Sequence, residues 1–301
     1  MRALAFAALQ ECDPIRKVAL TEAAWATLDG RTDTRIGARI DGRKPLVDAA
    51  LALMVESPGR PLRPELLHPA RVPQRGAGSH EGRAAMIHAI THIEFNAINL
   101  ALDAVCRFAG MPGDYYFDWI TVAKEEAYHF TLLSQHLKQH YGHDYGDFAA
   151  HDGLWLMAEK TCSDVLTRMA LVPRILEARG LDVTPGMRDK LRHHGDAEAA
   201  TILDIILRDE VGHVLTGNRW YTRLCAERGL DCMDTFERLM AEHDAPRIRP
   251  PFNRSARLAG GFTEAELARL EQLTAEPRIA KQRTAMPRTV EQRTAPPAVT
   301  R

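Results

Sequence analysis

Four glutamates and two histidines alternate along the middle of this chain in the order Glu94, Glu126-Ala127-Tyr128-His129, Glu159, Glu210-Val211-Gly212-His213. Residues three apart on an α-helix lie above one another on one face, so each Glu-x-x-His pair points both side chains the same way. A lone glutamate ahead of each pair offers a third carboxylate from a neighbouring helix. Such a set converges only if four helices lie side by side, which restricts the chain to an all-α fold with a helical bundle at its centre. A third copy of the pattern, Glu65-Leu66-Leu67-His68, lies among Pro61, Pro64 and Pro69. Proline breaks a continuous helix there, so this copy shows what a chance match looks like.

Turn positions support the convergence. The chain turns at Gly110-Met111-Pro112-Gly113, 16 residues after Glu94 and 13 before Glu126. At about 1.5 Å per residue both arms span roughly 20–24 Å, which brings Glu94 level with Glu126 and His129 in an antiparallel hairpin. In the second half, Gly180 reads as a helix stop and Thr184-Pro185 as the start of the next helix. Gly180 is 21 residues after Glu159, and Gly186 is 24 before Glu210. The expected bundle helices are 80–110, 114–141, 151–179 and 186–228, with Pro173 kinking or breaking the third.

Four carboxylates gathered in a bundle interior carry about −4, and burial with mutual repulsion drives them toward protonation unless cations arrive. Two divalent ions cancel that charge. Oxygen-rich coordination with one imidazole per metal suits iron, with manganese as the alternative, better than zinc or calcium. The expected ligands are Glu94, Glu126, His129, Glu159, Glu210 and His213.

Around them stand further candidates, each with a plainer reading. Asp209 and Glu125, beside the ligands Glu210 and Glu126, are placed to orient a ligand histidine across the bundle, or to serve as surface charge. Trp155 and Cys162, four before and three after Glu159, share its face and line a substrate pocket or pack in the core. Gly212 opens space beside the metals or permits close helix packing. Arg254 and Arg257, with Arg247 and Arg249 in a Pro/Gly-containing segment, hold a carboxylate or phosphate or remain solvated charge.

The 301 residues divide into an N-terminal helical segment with a Pro-rich wrapping loop (1–79), the bundle (80–230), a helical cap (231–275) and a polar, basic, disordered tail (276–301). Within the cap, Thr263 and Glu266 fit a capping box. A formal charge of −1 gives no global pull toward nucleic acid or anionic membrane. No stretch is apolar enough to span a bilayer and no cleavable leader is recognisable, so a cytoplasmic location is expected. Five cysteines without C-x-x-C spacing predict reduced, mostly buried thiols.

The ligand residues, with Lys124-Glu125-Glu126-Ala127-Tyr128-His129-Phe130, Arg208-Asp209-Glu210-Val211-Gly212-His213 and Pro250-Pro251-Phe252-Asn253, resemble the ferritin-like superfamily of di-iron carboxylate proteins. More narrowly, they resemble the ferritin-like family called domain of unknown function 455. The resemblance covers most of residues 1–275. It implies a ferritin-like four-helix bundle with extra N- and C-terminal helical segments and a metal centre that activates O2. The expected function is oxidation or hydroxylation of a small or nucleoside-like substrate, with an external electron donor because no nucleotide-binding glycine motif is present. A ferroxidase in a hollow oligomer and a non-catalytic metal-binding bundle are the alternatives. No membrane partner is expected, tRNA has little support from the charge, and the oligomeric state stays open, a dimer included.

Overall fold

The computed structural model describes residues 1–29, 55–73 and 75–275. The expected disordered tail lies outside the described residues. Among these, every regular element is helical, and a single isolated bridge joins Leu66 to Ala150. No helix among them is long and apolar enough to cross a membrane.

The first half of the bundle region forms as the sequence predicts. Helix α3 (His80–Arg107) starts at Ser79, whose hydroxyl accepts from the Gly82 N–H at 3.0 Å. Helix α4 (Gly113–Tyr141) returns after the Gly110–Pro112 turn and stops at Gly142, which adopts φ 72°. The preceding helices α1 (Arg2–Gln10) and α2 (Pro14–Asp29) lie against this hairpin. Arg2 donates to the carbonyls of Val105 and Cys106 at 2.9 and 2.7 Å, satisfying acceptors that the end of α3 leaves open.

The second half departs from the expected boundaries. In place of one helix over 151–179, the chain forms α5 (Gly153–Lys160), α6 (Val165–Leu171) and a π-helical turn (Val172–Glu177) that runs into α7 (Ala178–His193). Pro173 lacks the N–H that would continue the α-helical ladder, and the backbone widens there instead of breaking. Gly217, on α8 (Ala197–Glu227), makes room for it: a Cβ at that glycine would stand 2.1 Å from the Pro173 Cβ.

Gly180 is no helix stop and Pro185 no helix start, since both lie inside α7. The missing Pro185 N–H would orphan the Leu181 carbonyl, but Asn253 donates its side-chain amide to that oxygen at 3.1 Å. The true turn is Gly195-Asp196. Gly195 takes φ 87°, and the Asp196 carboxylate accepts from the Ala199 N–H at 2.9 Å to cap α8. Asp196 also accepts from the Tyr141 hydroxyl at 2.5 Å and lies 3.0 Å from His136 Nε2, tying the end of α4 to the start of α8.

C-terminal helices α9 (Cys232–Glu242), α10 (Arg254–Ala259) and α11 (Glu264–Ala275) are fastened to this body by buried arginines. Arg174 reaches Glu266 at 2.6 Å and stacks between the rings of Tyr221, Phe236 and Phe262. The expected capping box is formed: Glu266 Oε2 accepts from the Thr263 N–H at 2.8 Å, and Thr263 Oγ1 accepts from the Glu266 N–H at 3.2 Å. All five thiols are free, but only Cys106 and Cys225 are buried; Cys12 and Cys162 are exposed and Cys232 is half-buried.

Two apolar cores result. The larger surrounds Ile98, Trp119, Met169 and Val214, and the smaller surrounds Ile87, Leu133, Leu137 and Leu203. Between them, at the middle of α3, α4 and α8, lies a layer of buried charge.

Candidate metal centre

Glu94, Glu126, His129 and Glu210 are all buried and offer ligand atoms that lie within 4.8 Å of one another. His213 joins them, its Nδ1 2.9 Å from Glu126 Oε1 and 3.8 Å from Glu210 Oε2. His129 Nδ1 stands 3.3 Å from Glu94 Oε2 and 3.4 Å from Glu126 Oε2. Glu126 therefore presents one oxygen to each imidazole. These five residues, on α3, α4 and α8, are brought together by uninterrupted helices.

Glu159 is not among them. It is exposed near the end of α5, one residue before the helix stops at Lys160. The residue in the corresponding position is Glu177, the last of the π-helical turn, whose Oε2 is enclosed without a hydrogen-bond partner. A wide turn shifts the facing of the residues it carries, and half-buried Glu177 lines the same cavity as Glu94 and Glu210, where it feels the charge of Glu210. With the turn at Gly195, 16 residues run from Glu177 to the end of α7 at His193 and 13 from Ala197 to Glu210, against 13 from Glu94 to the end of α3 at Arg107 and 13 from Gly113 to Glu126, so the two hairpins agree to within a turn. The signal was present in the Gly195-Asp196 turn, but Gly180 and Thr184-Pro185-Gly186 masked it.

Each histidine is held from behind by a carboxylate on the opposite helix. Asp209 Oδ2 of α8 lies 3.1 Å from His129 Nε2 of α4, and Glu125 Oε2 of α4 lies 2.8 Å from His213 Nε2 of α8. Arg208 in turn donates to both oxygens of Asp209 at 2.8 and 3.0 Å. With Nε2–H donating outward, each imidazole turns the Nδ1 lone pair toward the carboxylate layer, as a metal ligand requires.

The electrostatics show what the layer lacks. Burial, then repulsion from Glu126, holds the Glu94 carboxyl well above the ordinary range, and the same two causes raise Glu210. Glu177 is pushed up to about 8 by burial and the Glu210 charge. Burial would lower both histidines, yet the surrounding carboxylates outweigh it and hold His129 and His213 well above the usual imidazole value. Burial would raise Glu126, but the two imidazoles outweigh it and hold it low. Glu94 Oε2, Glu210 Oε2 and Glu177 Oε2 are buried oxygens with no hydrogen-bond partner, and Glu126 Oε1 and His213 Nδ1, although 2.9 Å apart, do not meet in hydrogen-bond geometry. Buried acceptors without donors are costly, and a cation satisfies them together, so the donor set fits a metal ion.

A cavity of about 290 Å³ opens beside the layer, with Glu94, Glu177 and Glu210 in its wall. Its remaining lining is mainly apolar and comes from α3, α7, α8 and the loop before α10. The expected pocket residues are not part of it. Trp155 is buried beneath the Arg60 guanidinium, while Cys162 and Gly212 face outward. Arg257 is buried and held by both oxygens of Asp182, at 2.9 and 2.8 Å, and Arg254 is exposed and paired with Glu271 at 2.5 Å and with Glu264. Both arginines have carboxylate partners within the chain, and Arg257, which lines the cavity, keeps its Nη1 buried without one.

Comparison with other proteins places the chain. It is 50% identical over 214 residues to an uncharacterised protein of Haemophilus influenzae, a match that covers 69% of this chain and 74% of that one. No solved structure matches it. Residues 10–268, which contain the whole charged layer and the cavity wall, match the family described as protein of unknown function DUF455. The chain belongs to that family.

Proposed function

We propose that this chain is a ferritin-like oxidoreductase whose layer of Glu94, Glu126, His129, Glu177, Glu210 and His213 holds two iron ions and uses O2 to oxidise an organic molecule. The observation that carries the reading is the apolar cavity bounded by three of the carboxylates. A site that only passes iron inward needs a polar path, whereas an organic substrate needs apolar walls ending at the reactive group. Two bound iron ions would supply the reduction of O2, drawing two electrons and two protons from an external donor for each substrate hydroxylated.

The protein's own part is positioning. Glu126 stands between the imidazoles, Glu94 reaches His129 from α3, Glu177 at the end of the π-helical turn lines the cavity with Glu94 and Glu210, and Asp209 and Glu125 fix the ring orientations. The two apolar cores shield the layer on either side and leave the cavity as its opening. Manganese is the alternative metal for this donor set.

Anaerobic loading with ferrous iron, exposure to O2 and parallel recording of the optical spectrum and O2 uptake test the reading. It expects about two iron ions per chain and O2 uptake stimulated by an apolar substrate. Iron taken up far beyond that ratio by a large hollow oligomer would favour the ferroxidase. Iron binding without O2 uptake would leave a metal-binding bundle.

A further inference from the structure

We infer that the cavity beside the charged layer binds an apolar monocarboxylate of about a dozen non-hydrogen atoms, with its chain along the helices and its carboxylate at an arginine-lined mouth. The inference deepens the proposed function by naming its substrate class and rests on that reading only for what happens to the ligand after binding.

Size comes first. A cavity of about 150 Å³ accommodates benzene, with its six heavy atoms; this one, at about 290 Å³, is nearly twice as large. Shape follows from the lining. On α3 it runs from Ile90 to Leu100, and along the other wall from Leu176 in the π-helical turn to Met187 on α7, or about 15 Å on each side. A long, narrow, apolar space suits an extended hydrocarbon chain better than a nucleoside, whose ribose and base edges would find few partners there.

Charge fixes the head group. The exposed lining residues are Ile93, His151, Pro246, Arg247 and Arg249, Arg179 and Glu177 are half-buried, and the other two carboxylates of the wall, Glu94 and Glu210, are buried. Arg179 is anchored by donating to the Arg249 carbonyl at 2.7 Å. Its nearest carboxylate, Asp182, is 3.7 Å away and already engaged by Arg257. Arg249 has no ion-pair partner among the described residues. Two guanidinium groups beside an apolar opening favour one carboxylate held at the surface while its chain enters.

Gly180 supplies the test. It lines the cavity inside α7, and a Cβ there would meet nothing within 4 Å. A phenylalanine at 180 fills the space, whereas an alanine adds one methyl group. Calorimetric titration of the full chain, stripped of metal by chelation, uses decanoate as probe, with decanol, acetate and adenosine as comparisons. Stripping removes direct metal–carboxylate binding from the readout.

Decanoate should bind, decanol about tenfold more weakly, and acetate and adenosine not measurably. The double variant Arg179→Ala with Arg249→Ala should bring decanoate down to the decanol level, a loss of about tenfold. Gly180→Phe should abolish binding while Gly180→Ala retains it, with thermal melting confirming that each variant is folded. Should Gly180→Phe fail to fold, the arginine pair and the decanol comparison decide alone. Undiminished binding in both the Gly180→Phe and arginine variants, absence of decanoate binding, or tighter binding of adenosine overturns the assignment. If decanoate binds as described but the iron-loaded protein consumes no O2 with it, the oxidase reading fails and the ligand assignment stands.

Discussion

Asp209 on α8 holds His129 on α4 through a 3.1 Å contact to Nε2, on the side of the ring facing away from Glu94 and Glu126. The partnership is crossed, because Glu125 on α4 does the same for His213 on α8. Each Glu-x-x-His helix thus supplies ligands to the layer and the support for its neighbour's ligand. That explains why an acidic residue immediately precedes the glutamate in both motifs, Glu125-Glu126 and Asp209-Glu210.

Removing that support should weaken metal binding without unfolding the chain. Asp209→Asn keeps the shape but loses the charge that fixes the His129 tautomer, and metal affinity should fall about 10- to 100-fold. Glu125→Gln should cost less, since Glu125 is half-exposed. Competition titration against a chromogenic chelator measures both. Unchanged affinity in Asp209→Asn would make the residue an ordinary ion-pair partner of Arg208.

Glu177 and Glu159 separate the structural assignment from the one suggested by spacing. Glu177→Gln should lower the bound metal per chain, while Glu159→Gln should leave it unchanged, by elemental analysis. The metal-free protein should respond in the opposite sense. Burial pushes the Glu177 carboxyl up to about 8, so the folded state at pH 7 keeps a proton that the unfolded state releases. Above the ordinary carboxylate range this linkage destabilises the fold, and Glu177→Gln should raise metal-free stability by about 1–2 kcal/mol. Denaturant unfolding after chelation would show it; a loss of stability would mean that Glu177 is structural.

How much was legible in the sequence follows from these residues. Three uninterrupted α-helices preserve the relation between spacing and facing, so the closeness of Glu94, both Glu-x-x-His pairs and the residues behind the histidines was legible from position. The segment that carries Glu177 runs through Pro173, where the backbone shifts to a π turn, and helical spacing does not carry across such a shift. Pro185 also imitates a helix start, and only the distant Asn253 side chain makes it tolerable within α7. The cavity wall depends on which faces of α3, α7 and α8 meet, a tertiary fact that local sequence does not contain.

Two glycines on α8 should respond oppositely to alanine. At Gly217 the new methyl collides with the Pro173 ring, so Gly217→Ala should destabilise by about 2–3 kcal/mol or more. At Gly212 it enters open space on an exposed helix face, and Gly212→Ala should stabilise by about 0.5–1 kcal/mol. Thermal melting of the two variants side by side distinguishes them. Equal effects would contradict the close approach of α8 to the π turn.

Lys17 should make stability depend on pH. Its ammonium is buried and donates to the carbonyls of Ala8 and Leu9, both at 2.9 Å, while burial lowers its pKa to about 7. Between that value and its ordinary 10.5 the unfolded chain holds a proton that the folded one lacks. The native contribution of Lys17 therefore improves as pH rises across the window. Relative to Lys17→Met, the natural protein should gain about 2 kcal/mol between pH 7 and 9 in denaturant unfolding. A constant difference would show that the ammonium stays charged within the fold.

The central claim is that Glu94, Glu126, His129, Glu177, Glu210 and His213 enclose two metal ions. Anomalous X-ray scattering at the iron edge, from crystals of the iron-loaded protein, tests it directly. The account predicts two adjacent peaks inside the α3, α4, α7 and α8 layer, within coordination distance of those six residues. Iron absent from the layer, or bound at the surface near Glu159, would contradict it.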